Sequence, residues 1–132
     1  MTSEPDPFSL RSTYVVLGDN GDAIPLTVSD RFFEDLKHKF GDFKGKRLVS
    51  CFTFDKDWDT WEIHPAGEEL VCLLSGQVNF ILEQGGVDNT LPLNTPGSFV
   101  LIPRNTWHTA KIYTPSAVLF ITPGEGTQNR PV

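Results

Sequence analysis

Glu62, His64 and Glu69 fall within eight positions of one another in the stretch WEIHPAGEELVCLLSG, residues 61–76, and His108 follows in PGSFVLIPRNTWHTAKI from Pro96. Imidazoles and carboxylates can ligate metal ions, whereas a strand that only builds a core has no use for charged groups at its entrance. Side chains two apart share a face of a strand, so Glu62 and His64 point one way while Trp61 and Ile63 point the other way into apolar packing. The turn at Pro65-Ala66-Gly67 is expected to send the next strand back beside the first, which brings Glu69 into reach of the same space. Three potential ligands then converge from two adjacent strands. His108 comes after another turn and is again flanked by a tryptophan, Trp107. Taken singly, each residue reads as a satisfied polar group, a His bonded to a carbonyl or a Glu on the solvent face.

The elements that must position these groups are short and β-rich. Turn signals at Pro65-Ala66-Gly67, Ser75-Gly76, Gly85-Gly86, Asn94-Thr95-Pro96-Gly97, Arg104-Asn105, Thr114-Pro115 and Pro123-Gly124 recur about every ten residues, as in all-β sandwiches and barrels. Between them LVSCFTF, ELVCLL, QVNFIL, SFVLI, WHTAKI and AVLFI are rich in β-branched and aromatic residues and read as strands. One helix interrupts the pattern. Ser29 is placed to cap SDRFFEDLKHKFG, where Phe32, Phe33, Leu36 and Phe40 recur at helical spacing before Gly41 offers a stop. Its apolar stripe is expected on the outside of the sheet, with His38 on its solvated side.

At 132 residues the chain is one domain, able to bury roughly two thirds of its unfolded surface. Residues 11–123 are expected to form it, with flexible ends at 1–10 and 124–132 that are polar and contain Pro and Gly. Seventeen acidic against eleven basic side chains give a net charge of −6, which disfavours nucleic acid and anionic membranes as partners. Cys51 and Cys72 form no CxxC pair and read as buried reduced thiols. MTSEPDPFSLRS lacks the basic start and apolar core of a leader, and no apolar run approaches the roughly 20 residues of a membrane span, so a cytoplasmic location is expected. No Ser-His-Asp order, phosphate-cradling loop or paired-Cys motif competes for the chemistry.

With these residues in place the sequence resembles a small single-domain cupin of the cupin 2 or RmlC-like type. Glu62-x-His64-x4-Glu69-x6-Gly76 reproduces the spacing of the family's first motif from its first ligand position to the closing glycine, and Gly97-x5-Pro103-x-Asn105-x2-His108 reproduces the second; together they span about residues 58–121. Glu62 stands where the family has a histidine, Asn105 replaces a glycine and Ile112 replaces a terminal Asn. Asn tolerates the left-handed conformation such a turn demands. The resemblance implies an all-β, cupin-type double-stranded β-helix (jelly-roll barrel) with one N-terminal helix packed outside, and a divalent metal held by Glu62, His64, Glu69 and His108. Four metal-compatible side chains at this joint spacing outweigh the satisfied-polar reading.

Two histidines and two carboxylates suit Fe, Mn, Ni or Zn as the divalent ion. If Glu62 turns aside, His64, Glu69 and His108 form a two-histidine, one-carboxylate set with open positions, and Glu62 becomes a candidate general base. By strand parity Thr60, Val71 and Ala110 are expected to line a small-to-medium, mostly apolar pocket, while Trp58, Trp61 and Trp107 read as packing residues. The implied function is a metal-dependent oxygenase, isomerase or decarboxylase acting on a small oxygen-bearing molecule; the alternatives are a non-catalytic sensor or storage cupin and a metal-free barrel that binds ligand directly. Edge strands of such a barrel suggest a homodimer.

Overall fold

The structure is a computed structural model and describes residues 6–132. Nine strands and one helix follow in the order β1 (Thr13–Leu17), β2 (Ala23–Thr27), α1 (Phe32–Phe40), β3 (Arg47–Phe54), β4 (Thr60–Ile63), β5 (Glu69–Gln84), β6 (Val87–Leu93), β7 (Phe99–Ile102), β8 (His108–Thr122) and β9 (Gln128–Pro131). One path of the sheet runs β2-β1-β3-β8-β4-β9, and β5 adds β6, β7 and β8 as its partners. Every pairing is antiparallel. The chain is all-β apart from α1, as the turn spacing implies, and has the jelly-roll barrel that the resemblance implies.

The long ribbon of β5 and β8 organises the barrel. It pairs from Leu70↔Ile121 at one end to Leu82↔His108 at the other. Laid straight, a 15-residue strand is roughly 50 Å long, which would put Glu69 and His108 at opposite ends. Their polar atoms instead lie 3.2 Å apart. The ribbon therefore folds over on itself, and it does so where the register slips between Leu73 and Val78. Gly76, at φ 90°, sits in that slip with the backbone of Pro115 and Ser116 pressed against it. Ser75-Gly76 and Thr114-Pro115, expected as turns, are bulges in two continuous strands; Gly and Pro interrupt a ladder in either case, and the same signal serves both.

The interior of the folded ribbon is filled by Val71, Leu73, Val78, Phe80, Ile102 and Val118, all at most 1% exposed. A second cluster, Tyr14, Val16, Phe32, Phe43 and Leu48, joins α1 to β1 and β3. The helix flanks the barrel but packs on the sheet face that continues the barrel interior, because Tyr14, Val16 and Leu48 present their side chains there. Of its expected apolar stripe Phe32 is buried, Leu36 and Phe40 are half-buried and Phe33 is exposed. Gly41 ends it, its N–H donating to the Lys37 carbonyl. Ser29 does not cap it: the Ser29 hydroxyl accepts from Arg31 N–H, one residue before the first turn, and makes a local turn instead.

β1, β2, β6 and β9 were not foreseen. β2, β6 and β9 are outermost strands carrying Pro25, Pro92 and Pro131, and proline is admitted at sheet edges. Within residues 124–132, expected to be a loose tail, Gln128–Pro131 form β9 against β4. The expected looseness of residues 1–10 falls in part outside the described residues. No helix among the described residues is long and apolar enough to cross a membrane.

Candidate metal centre

Glu62 and His108 face each other directly, as the register pair joining β4 to β8. His64 follows two residues after Glu62, and Glu69 enters from the start of β5. The expected β4–β5 hairpin does not form: β4 pairs with β8 and β9, β5 with β6, β7 and β8. Glu69 arrives because the ribbon folds over. The gathering is nevertheless tight, with Glu69 Oε1 at 3.2 Å from His108 Nε2, Glu69 Oε2 at 3.4 Å from His64 Nε2, and Glu62 Oε2 at 3.7 and 4.0 Å from the two imidazoles. His64, Glu69 and His108 are buried, and Glu62 is a third exposed.

Each ligand-bearing ring is aimed by a second partner. His108 Nδ1 lies 3.0 Å from the Thr106 carbonyl, which can only accept, so the ring donates there and its Nε2 carries the lone pair. The Thr127 hydroxyl donates to the Gly124 carbonyl and accepts from His64 Nδ1–H at 2.8 Å, which fixes the same tautomer. Thr122 donates to Glu69 Oε2 at 2.5 Å. Asn105, at φ 57° in the left-handed conformation its motif position called for, donates its backbone N–H to the His64 carbonyl and ties the two motif segments together. Thr122 and Thr127 escaped the sequence reading. Thr127 falls in the segment expected to be a tail, and no spacing rule marks a residue that only orients another side chain.

His64 Nε2, His108 Nε2 and Glu69 Oε1 are left buried with no hydrogen-bond partner. Buried polar atoms are nearly always satisfied, and here lone pairs face lone pairs with no donor between them. A cation is what such a centre accepts. Glu62, His64 and His108 each place one ligand atom within 4.8 Å of the others, and Glu69 completes the set of two imidazoles and two carboxylates. These residues fit a divalent metal, whose charge the two carboxylates neutralise.

Without a metal, protons must take that role. Burial alone would raise the Glu69 carboxyl, but the contacts and charge of His108 and His64 overcome it and hold its pKa at about 2. For His108, burial lowers the pKa, yet Glu69, the Thr106 carbonyl and Glu62 together leave it raised. Glu62 is raised by burial and by the Glu69 charge. The depressed Glu69 contributes stability above its ordinary 4.5 that is lost as pH falls toward 2; the raised His108 contributes below 6.5 and loses it as pH climbs through the higher folded value. Glu62 likewise favours the acid side. Chelator-treated protein is therefore expected to melt at a higher temperature near pH ~5.5 than near ~8.5, checked by calorimetry across that range.

A cavity of about 1020 Å³ opens from the centre between β3, β8 and α1. Glu62, His64 and Glu69 stand at its polar end. Phe52, Phe54, Trp58 and Phe120 form its aromatic wall, packed on one another at ring-centroid separations of 5.6 to 6.2 Å. Thr60 is on the wall as well. Val71 and Ala110 are not: they share the inward parity, but the ribbon interior at their level is filled and both are closed into the core. Trp58, read as packing, faces the cavity, whereas Trp61 and Trp107 sandwich the Arg130 guanidinium, which pairs with Glu83 at 2.6 Å and pins β9 in place.

Among solved structures the chain is similar to the WlaRB TDP-quinovose 3,4-ketoisomerase from Campylobacter jejuni (21% identity, TM-score 0.50, 55% of this chain and 58% of that one). It is also similar to a variant of the Bacillus subtilis oxalate decarboxylase OxdC (15%, 0.52, 65% and 24%), and to a cupin-2 domain protein from Shewanella frigidimarina (12%, 0.48, 65% and 71%). The chain spans less than two thirds of the length of the first two. No match is found among curated proteins. The family described as FdtA: WxcM-like, C-terminal matches residues 36–125, which takes in the second half of α1, the folded ribbon and all four candidate ligand positions. With that match extending over more than half of its length, the chain belongs to this family and is a small cupin.

Proposed function

We propose that this chain is a metal-dependent cupin enzyme acting on a small oxygen-bearing organic molecule, with Glu62, His64, Glu69 and His108 holding a divalent Fe, Mn, Ni or Zn ion. The observation that carries the reading is the three buried, partnerless atoms His64 Nε2, His108 Nε2 and Glu69 Oε1 facing one point. When bound there, the ion supplies Lewis-acid polarisation of a substrate oxygen. The protein supplies the rest. Thr106, Thr122 and Thr127 hold the ligand atoms in place, and the aromatic wall takes the apolar body of the substrate and excludes water. Where Glu62 turns aside and leaves the ion to His64, Glu69 and His108, its partly exposed carboxyl, whose pKa burial raises, can carry a proton instead.

Untagged protein is expected to carry about one equivalent of a transition metal by elemental analysis, to lose thermal stability on chelation, and to turn over at least one member of a panel of small enediols, β-diketones and thiols. Saturable binding without turnover would make it a sensor or storage protein. Glu62 also supports a second reading, a metal-free acid–base isomerase, since its raised pKa and place at the cavity suit a proton shuttle unaided. Turnover that survives complete metal removal selects that reading over the first.

A further inference from the structure

The aromatic side chains of the cavity form a continuous run from the metal centre to the helix. The Trp58 indole lies with its ring centroid 6.3 Å from that of His108, Phe54 and Phe120 follow at 5.6 and 6.0 Å from Trp58, and Phe52 lies 6.1 and 5.9 Å from those two. Phe33, on α1, ends the run 6.5 Å from Phe52, with the two ring planes within 10° of parallel. Phe33 lines the cavity, yet it is 56% exposed, more than any other apolar side chain of the helix. The buried Phe32 meets it edge to face at 5.3 Å and holds the ring in this orientation.

We infer that the substrate carries a planar aromatic ring with no anionic group on it, which lies flat against Phe33 and Phe52 while its oxygen-bearing end reaches the centre. Given the cavity's role as the substrate site, on which this assignment rests, three features select that class of molecule. Because the planes of Phe33 and Phe52 are nearly parallel, an incoming ring stacks on both in a single orientation. A ring seated there covers the apolar surface of Phe33 that the helix leaves bare. The charges of the mouth settle what the ring does not carry. Exposed carboxylates of Asp42, Asp55, Asp57 and Asp59 line the cavity against the ammonium groups of Lys37 and Lys56, and no arginine is among its described lining residues. Asp57 is partly answered by Lys111 at 4.0 Å, but the excess of negative charge remains. Such a mouth repels a phosphate or carboxylate tail and offers no planar guanidinium fork to hold one.

Isothermal titration of zinc-loaded and of chelator-treated protein with two small β-diketones, benzoylacetone and its alkyl counterpart acetylacetone, tests the assignment. Benzoylacetone is expected to bind roughly tenfold or more tightly than acetylacetone in both forms, since the ring contact does not need the ion. Zinc uptake, titrated separately, decides the metal centre on its own. Phe33→Ala, at an exposed position, is expected to cut the ratio about fivefold with wild-type circular dichroism. Should it unfold, Phe33→Leu keeps an apolar side chain on α1, removes the ring and is expected to cut the ratio about threefold. Benzoylacetone bearing a carboxylate on its ring is expected to bind about fivefold more weakly than the plain ligand, with the gap narrowing at ~0.5 M salt. Equal affinity for the phenyl and methyl ligands, no binding of benzoylacetone at millimolar concentration, or a ratio that the folded Phe33 variant leaves unchanged overturns the ring assignment, whatever the zinc titration gives. A carboxylated ligand that binds as tightly as the plain one overturns the exclusion of anions.

Discussion

Replacing His108 with alanine is expected to abolish the gain in melting temperature that added metal gives this protein. In the wild type, a divalent ion at a hundred times its dissociation constant stabilises the fold by about 2.7 kcal/mol, or some 8–12 °C for a chain of this length. His108 is fully buried, faces both Glu69 and Glu62, and has its ring fixed by the Thr106 carbonyl, so no neighbour can swing in to replace it. Losing one of four anchored ligands is expected to weaken binding by at least ~10²-fold, enough to erase the shift at the same ion concentration. Thr127→Val provides the graded comparison: His64 stays but loses the acceptor that orients it, and a weakening of about tenfold is expected. Isothermal titration and melting with and without metal measure both variants. An H108A protein that binds one equivalent with wild-type affinity would remove the imidazole pair from the centre and, with it, the metal-dependent reading of the cavity.

The four converging groups were legible in the sequence because a strand's period of two and a fixed motif spacing constrain which side chains share a face. The route by which they meet was not. Nothing local in WEIHPAGEEL distinguishes a hairpin from two strands that pair with other partners, and the structure takes the second course, with β4 on β8 and β9. The same gap explains Val71 and Ala110: parity told which way they point, but whether a barrel interior is filled or hollow at a given level depends on residues as distant as Phe80 and Ile102. β9 was invisible for another reason. QNRP carries no alternation, and it is held by Arg130 between two tryptophans and by pairing with β4, none of which is encoded within the segment. Since Thr127 orients His64, this least legible stretch belongs to the candidate centre.

The fold over of the ribbon rests on Gly76, and Gly76→Ala is expected to be the most destabilising single substitution of a glycine in the chain. Gly97 supplies the control, since it has nearly the same backbone, φ 91° against 90°, but nothing within 4 Å of where a Cβ would sit. Gly97→Ala therefore meets only the conformational cost of about 1–2 kcal/mol. At Gly76 the added carbon would meet the Ser116 hydroxyl, the Pro115 carbonyl oxygen at 2.6 Å and Ser116 Cα at 2.7 Å. Two of these are backbone, so trimming Ser116 does not make room. The strands must separate at the bend, where Ser116 Oγ also accepts from Gln77 N–H and donates to the Thr114 carbonyl at 2.7 Å. We expect about 3–5 kcal/mol in total, a large part of the margin of a single domain, and a melting temperature lower by roughly 10–20 °C. Because the bend is what carries Glu69 across to His108, surviving folded G76A protein is expected to bind metal more weakly than G97A protein of matched fold. Equal melting temperatures for the two variants, read by calorimetry, would show that the ribbon yields at this point without strain, and that Glu69 and His108 are held together by something other than the close approach at Gly76.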